Sequence, residues 1–305
     1  MLLAALCVLA TGCGGTHLVK PANAVSAALA PVVDQATAAY QAANDIHDLS
    51  EDYDAATEFD KPGVVYNPRT VEPLLTDAQI DARLAVLKGL QLYVHTIVSL
   101  SRGGSTTELD AAAKEMGANL VSLGNAEIPT GKIPPSIITT PTDGTPPAIS
   151  PDVQNILSTG VDALGRFLMT RKIDAELPGQ IAAMDPHIQA LCKLLADEVG
   201  ILESQEKIDF DSILNRQTLF LRTANLDPGE RREQIMKLPG IARQAHAAHA
   251  QLEQLKDAVE TLRKAHSDLA EAARTKTPET FKSQIENLAA AGSSLGKFYS
   301  SLSEK

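Results

Sequence analysis

Residues 241–273 read IARQAHAAHAQLEQLKDAVETLRKAHSDLAEAA. Within them Ile241, Ala245, Ala248, Leu252, Leu255, Val259, Leu262, His266, Leu269 and Ala273 recur at alternating spacings of four and three. That heptad rhythm places one side chain per turn on a single helical seam. A strand would alternate every second residue, so the stretch is a long helix that must lay one stripe against other helices. Ala258, Ala265 and Ala272 sit beside the seam and widen it. A wider stripe asks for more than one packing partner, which favours a bundle over an isolated coiled pair.

Working outward, the same spacing recurs. Val25, Leu29, Val32, Ala36, Ala39, Ala43, Ile46 and Tyr53 mark a first helix with Ser50 as its polar interruption and Pro31 as a kink or first turn. Thr76 and Gln79 form a capping box ahead of Ile80, Leu84, Leu87, Val94 and Val98. Ser105 with Glu108 opens a third helix carrying Leu109, Ala112, Met116, Leu120 and Leu123, and the short connection predicts an antiparallel hairpin with the second. Residues 125–149 are rich in Pro and Thr and defeat helix formation, which makes them a functional arm or, the favoured reading, a linker that divides the chain.

Ser150-Pro151-Asp152 then starts a helix to about Glu176, and Pro178-Gly179 interrupts. Asp185-Pro186 begins the next, along Ile188, Leu191, Leu195, Val199, Leu202, Ile208, Ile213 and Phe220, with a slip after Leu202 like a stutter. Asp227-Pro228 opens the segment that Pro239 bends or restarts before the heptads, and Thr277-Pro278 starts a last helix, the expected antiparallel partner of the heptad stretch.

Composition agrees with this reading. Aromatic residues make up 4% of the 305 and Trp is absent, whereas sheets draw on aromatic and β-branched side chains. The expected class is all-α, an elongated antiparallel helical bundle with long coiled-coil-like helices. The expected divisions are a leader at 1–12, a tether at 13–24, an N-terminal helical subdomain at 25–124, the linker at 125–149 and a long-helix bundle at 150–305. A formal charge of −11 without a block of Lys or Arg argues against nucleic acid as a partner.

Leu2 to Ala10 form an apolar run about half as long as a membrane-spanning helix, followed by Thr11-Gly12-Cys13-Gly14-Gly15. The stretch Leu9-Ala10-Thr11-Gly12-Cys13 resembles the lipobox of bacterial lipoprotein signals. The resemblance covers about the first fifteen residues. It implies cleavage before Cys13, lipidation of Cys13, and a membrane partner through the attached acyl chains. Gly14 in place of an Asp points to the outer membrane, with the body facing the periplasm.

The body carries few chemical candidates. His246, His249 and Glu253 have the spacing to share one helix face and form part of a metal site, but no further ligand set is evident and a solvated face is the preferred reading. His266 stands in the seam, where a buried hydrogen-bonded polar residue fixes register, and His95 reads the same way. Cys192, the one thiol left after Cys7 and Cys13, lies in an apolar turn and reads as an inert packed side chain. Ser294 and Lys297 have the spacing of an S-x-x-K pair but lack its partner motifs. The carboxylates Glu51, Asp52, Asp54, Glu58 and Asp60 lack a calcium loop's pattern and read as a solvated helix end. No catalytic residue and no cofactor is expected.

The functional expectation is a lipid-anchored envelope protein acting as a non-enzymatic helical scaffold or binding module for an unknown protein partner. The alternatives are a membrane-active helical protein similar to pore-forming toxins, and a metal-binding or enzymatic bundle. Liposome leakage separates the first alternative, and stoichiometric metal lost on His249→Ala separates the second. The apolar patch Ile133, Ile137 and Ile138 is the only part of the linker suited to insertion.

Overall fold

The computed structural model describes residues 19–59, 63, 65, 73–100, 107–125, 138–139, 148–149, 151–170, 177–275 and 283–287, with side chains at 36–59, 63, 65, 73–100, 111, 113–121, 158–169, 177–275 and 283–287. The fold is all-α. Its helices are α1 (Val19–Phe59), α2 (Asp77–Leu100), α3 (Thr107–Asn125), α4 (Pro151–Thr170), α5 (Leu177–Thr223) and α6 (Pro228–Thr275), and residues 283–287 are also helical. Two-residue strands β1 (Ile138–Thr139) and β2 (Ala148–Ile149) pair antiparallel within the Pro-rich segment, a short clasp on the chain expected to be irregular. Cys13, Ile133, Ile137, Ser294 and Lys297 lie outside the described residues.

The heptad seam is the buried face of α6. Nine of its ten positions, from Ala245 to Ala273, are buried, and Ile241 is half-buried. Its principal partner is α5. The pairs Lys256–Glu203, His249–Glu206 and His266–Asp185 show residue numbers rising on one helix as they fall on the other, so the two run antiparallel. The last helix, the expected antiparallel partner, lies outside the described residues except for 283–287. The Asp227 cap makes a tight turn from α5 into α6, accepting bonds from Gly229 N at 2.7 Å and Glu230 N at 2.9 Å, and so brings α5 back along α6. Ile285 of the later stretch is nevertheless buried in the same core.

By contrast α1 runs parallel to α5, with His47 paired to Asp209 and Asp54 to Arg216 at the same separation in sequence. The main cluster takes residues from Ala36 to Ile285, so helices before and after 125–149 share one core. The Thr76–Gln79 box forms as expected, with Thr76 N donating to Gln79 Oε1 at 2.7 Å. Just before it, Asn44 of α1 donates to Leu75 O at 2.7 Å and accepts from Leu75 N at 2.8 Å, pinning the chain entering α2.

Several boundaries differ from the sequence reading. α1 begins at Val19, inside the expected tether, and continues through Pro31. α5 begins at Leu177, so Pro178 occupies its first turn and Pro186 its interior. A proline inside a helix removes one backbone bond and costs about 3 kcal/mol. Packing on both sides offsets that cost, since Ile181, Met184, Ile188 and Leu191 are all buried. Likewise α6 passes through Pro239 without restarting.

The slip after Leu202 also disappears. The buried face of α5 continues through Glu206, Asp209, Ile213 and Gln217, at three-to-four spacing, while Ile208 is 61% exposed and Phe220 39% exposed. An apolar-only reading followed Ile208 because the true seam turns polar there.

Candidate functional site

Three of the places where polar residues of the buried faces gather bear on function. In the first, Tyr93 of α2, His266 of α6 and Asp185 of α5 form a chain: Tyr93 Oη lies 2.8 Å from His266 Nε2, and His266 Nδ1 lies 3.2 Å from Asp185 Oδ1. Arg274 donates to Asp185 Oδ2 at 2.9 Å, and Gln189 donates to Asp185 Oδ1 at 3.3 Å. The carboxylate accepts, so His266 carries its proton on Nδ1 and accepts from the Tyr93 hydroxyl at Nε2. His266 is 0% exposed and Tyr93 1% exposed, and Phe167 packs edge-on against the Tyr93 ring at 4.7 Å. No substrate reaches these atoms in this conformation. Their arrangement ties three helices in one register, as a buried polar group in a seam does.

Burial lowers the His266 imidazole below its ordinary value, Asp185 opposes this, and Arg274 adds to it. The native imidazole therefore stays neutral where the unfolded one takes up a proton. Its contribution to stability is intact above about pH 6.5 and declines below it, by at most about 1.4 kcal/mol per pH unit. We expect the melting temperature to fall more steeply between pH 7 and 5.5 in the parent chain than in His266→Gln. Equal slopes would remove His266 as the cause.

In the second place, at the junction of α1, α5 and α6, His47 Nδ1 pairs with Asp209 Oδ2 at 2.9 Å, and His249 Nδ1 lies 3.3 Å from Glu206 Oε2. Burial raises the Glu206 carboxyl above its ordinary value against the pull of His249. The structure thus pairs His249 with Glu206 of α5, sets the His246 ring 6.4 Å from Phe210, and leaves Glu253 exposed. Among the described residues no group of three or more His, Cys, Asp or Glu side chains is placed to hold a metal ion. Cys192 is fully buried and burial pushes its thiol up to about 12. His95 is half-buried.

The third place is open. Where the parallel helices α1 and α5 end together, Tyr53, Ala56, Thr57 and Phe59 face Arg216, Gln217, Leu219, Phe220 and Thr223 across a cleft of about 570 Å³. That volume lies within the range of small-molecule sites. Phe59 is 57% exposed and Leu219 56% exposed, so the outer lip is apolar and in contact with solvent. Asp54 and Arg216 form an ion pair at the rim, and Arg216 Nε also reaches Ser212 Oγ at 3.1 Å. Gln217 is only 4% exposed yet lines this cleft. Beyond it the first turns of α6 stay largely exposed, including Ile235 and Met236. Sequence reasoning assigned no role to Gln217. The available signal was its place on the seam extended past Leu202 in steps of three and four.

A second polar hollow lies on the outer α5–α6 face, lined by Gln189, Asp257, Glu260, Arg263, Lys264 and Asp268 among others. There Arg263 pairs with Glu260 at 2.7 Å. Among the described residues no helix is long and apolar enough to cross a membrane. Compared with known families, curated proteins and solved structures, the chain matches none.

Proposed function

We propose that the chain is a lipid-anchored bacterial envelope protein, held at the outer membrane through Cys13 and facing the periplasm, whose helical body is a non-enzymatic scaffold or binding module. The observation that carries the binding reading is the apolar cleft at the shared end of α1 and α5. It is open to solvent, while the Tyr93–His266 pair is enclosed. The lipobox-like stretch ending at Cys13 supports the anchor, and two or more acyl chains on one residue suffice for stable attachment.

Inhibiting lipoprotein signal peptidase with globomycin is expected to accumulate a larger precursor. Cys13→Ser is expected to abolish palmitate incorporation and release the protein from the membrane fraction. Membrane fractionation of Cys13→Ser, with a precursor whose size globomycin never changes, would overturn the anchor.

A further inference from the structure

We infer that two copies of the chain associate side by side, the outer stripe of α1 in each copy lying against the outer stripe of α6 in the other, with Asp52 facing Arg243 and Phe59 facing Met236. On α6 the inward face is marked by Ala245, Ala248 and Leu252, all buried. Arg232, Met236, Pro239 and Arg243, at spacings of four, three and four, fall on the opposite side and are all exposed, Met236 to 67%. No carboxylate interrupts that stripe, and Glu233 to one side of it is paired with Lys237 at 3.7 Å. Neither Arg232 nor Arg243 has an ion-pair partner among the described residues.

The outer stripe of α1 is the counterpart. Its inward face is marked by Ala43, Ile46, His47 and Ser50, all buried, and Asp45, Asp48, Asp52 and Phe59 return on the opposite side, Phe59 being 57% exposed. α1 holds no Lys or Arg after Lys20. Burial, together with the like charges of Asp45, Asp52 and Glu51, holds the Asp48 carboxyl above its ordinary value against the pull of His47. A cation brought alongside relieves such crowding. One copy therefore presents an acidic stripe ending in an apolar ring and a basic stripe interrupted by an apolar thioether.

Their heights match. His47 pairs with Asp209 and Asp54 with Arg216, while His249 pairs with Glu206 and Lys256 with Glu203. Carried outward at equal rise per residue, these registers put Asp52 level with the turn of α6 that holds Arg243, and Phe59 level with the turn that holds Met236. Seven residues separate Asp52 from Phe59, and seven separate Met236 from Arg243. The two helices are neighbours, since Ile46 packs with Ala245 and Ala248. A two-fold axis along the shaft preserves every height, so acid meets base and apolar meets apolar twice over. It also sets both copies of α1 starting from the same end, as two chains held in one leaflet require. An anionic surface brought up to Arg243 would meet Asp52 at the same height, which favours a second copy over a lipid bilayer. The reading goes beyond the binding module and depends on neither the cleft nor the anchor.

The test is sedimentation equilibrium of the full-length Cys13→Ser chain, for which a reversible monomer–dimer equilibrium is expected. Arg232→Glu with Arg243→Glu, and separately Asp45→Lys with Asp52→Lys, should each weaken association at least roughly tenfold, because like charges then face each other twice. An equimolar mixture of those two variants should associate about as tightly as the parent, since each reversed stripe then meets its complement. Met236→Ser should weaken association roughly tenfold through lost apolar contact. Ile208→Ser, exposed on α5 and on neither stripe, should behave as the parent does. All the substituted positions lie at the surface, so unchanged melting temperatures are expected to accompany these shifts. A parent that stays monomeric, charge variants that associate undiminished, or a mixture that fails to recover would overturn the proposal. So would a monomeric parent that binds phosphatidylglycerol vesicles through Arg232 and Arg243. Each of these results leaves the anchoring experiment at Cys13 untouched, so the two readings fail separately.

Discussion

Glu198→Leu alone is expected to lower stability by about 3–5 kcal/mol, which for a chain of this size is a fall in melting temperature of roughly 10 °C. In the parent, the Glu198 carboxylate receives Arg83 Nε at 3.1 Å and NH2 at 2.9 Å, while Arg83 NH1 donates to Gln79 O at 2.8 Å. Both side chains are buried, and Tyr40, fully buried, lies close enough to feel both charges. Removing the carboxylate strands a guanidinium beside apolar neighbours, and the penalty is that of an uncompensated buried charge rather than the worth of the pair. The double variant Arg83→Met with Glu198→Leu should therefore recover most of the loss and can exceed the parent. Thermal and urea denaturation followed by circular dichroism decide it. Equal losses in the single and double variants would mean that the pair contributes through net attraction instead.

Gly165→Ala is expected to destabilise by about 1–3 kcal/mol, although alanine is the better helix former by about 1 kcal/mol. A methyl group at Gly165 would stand 2.6 Å from Gly117 O and 3.0 Å from Val121 N, and one at Gly117 would stand 2.6 Å from Gly165 O. These are backbone atoms, which cannot rotate aside, so α3 and α4 would have to separate. Gly240, within α6, has nothing within 4 Å of the corresponding position. The same substitution there should stabilise by roughly 0.5–1 kcal/mol. Opposite signs for one chemical change in two helices would place the difference in the α3–α4 crossing, and a shared sign would refute that account.

Much of the architecture was readable because packing in a bundle repeats. The α6 seam could be followed residue by residue, and its one polar member, His266, proved to be the buried register residue its position required. Along α5 the same method went astray. Glu206, Asp209 and Gln217 lie on the buried face but were passed over by the apolar seam, because a single sequence does not show which polar side chains a neighbouring helix will cover. Pro186 and Pro239 looked like boundaries for a related reason: local propensity disfavours proline inside a helix, and only long-range packing overrides it. The cleft itself was invisible in advance. It depends on α1 and α5 ending level with one another, and nothing within either segment specifies that they run parallel.

That shared direction has a geometric consequence. α1 is 41 residues long, about 60 Å, and its first residue is the one nearest in sequence to the acylated cysteine we propose. The helix that would rise from the anchor is thus also the one that supplies half of the cleft's lining at its opposite end. Cargo would be met at the full standoff of the molecule and would have to arrive through the surrounding fluid. The mouth would point away from the lipid leaflet, out of reach of anything still embedded in it.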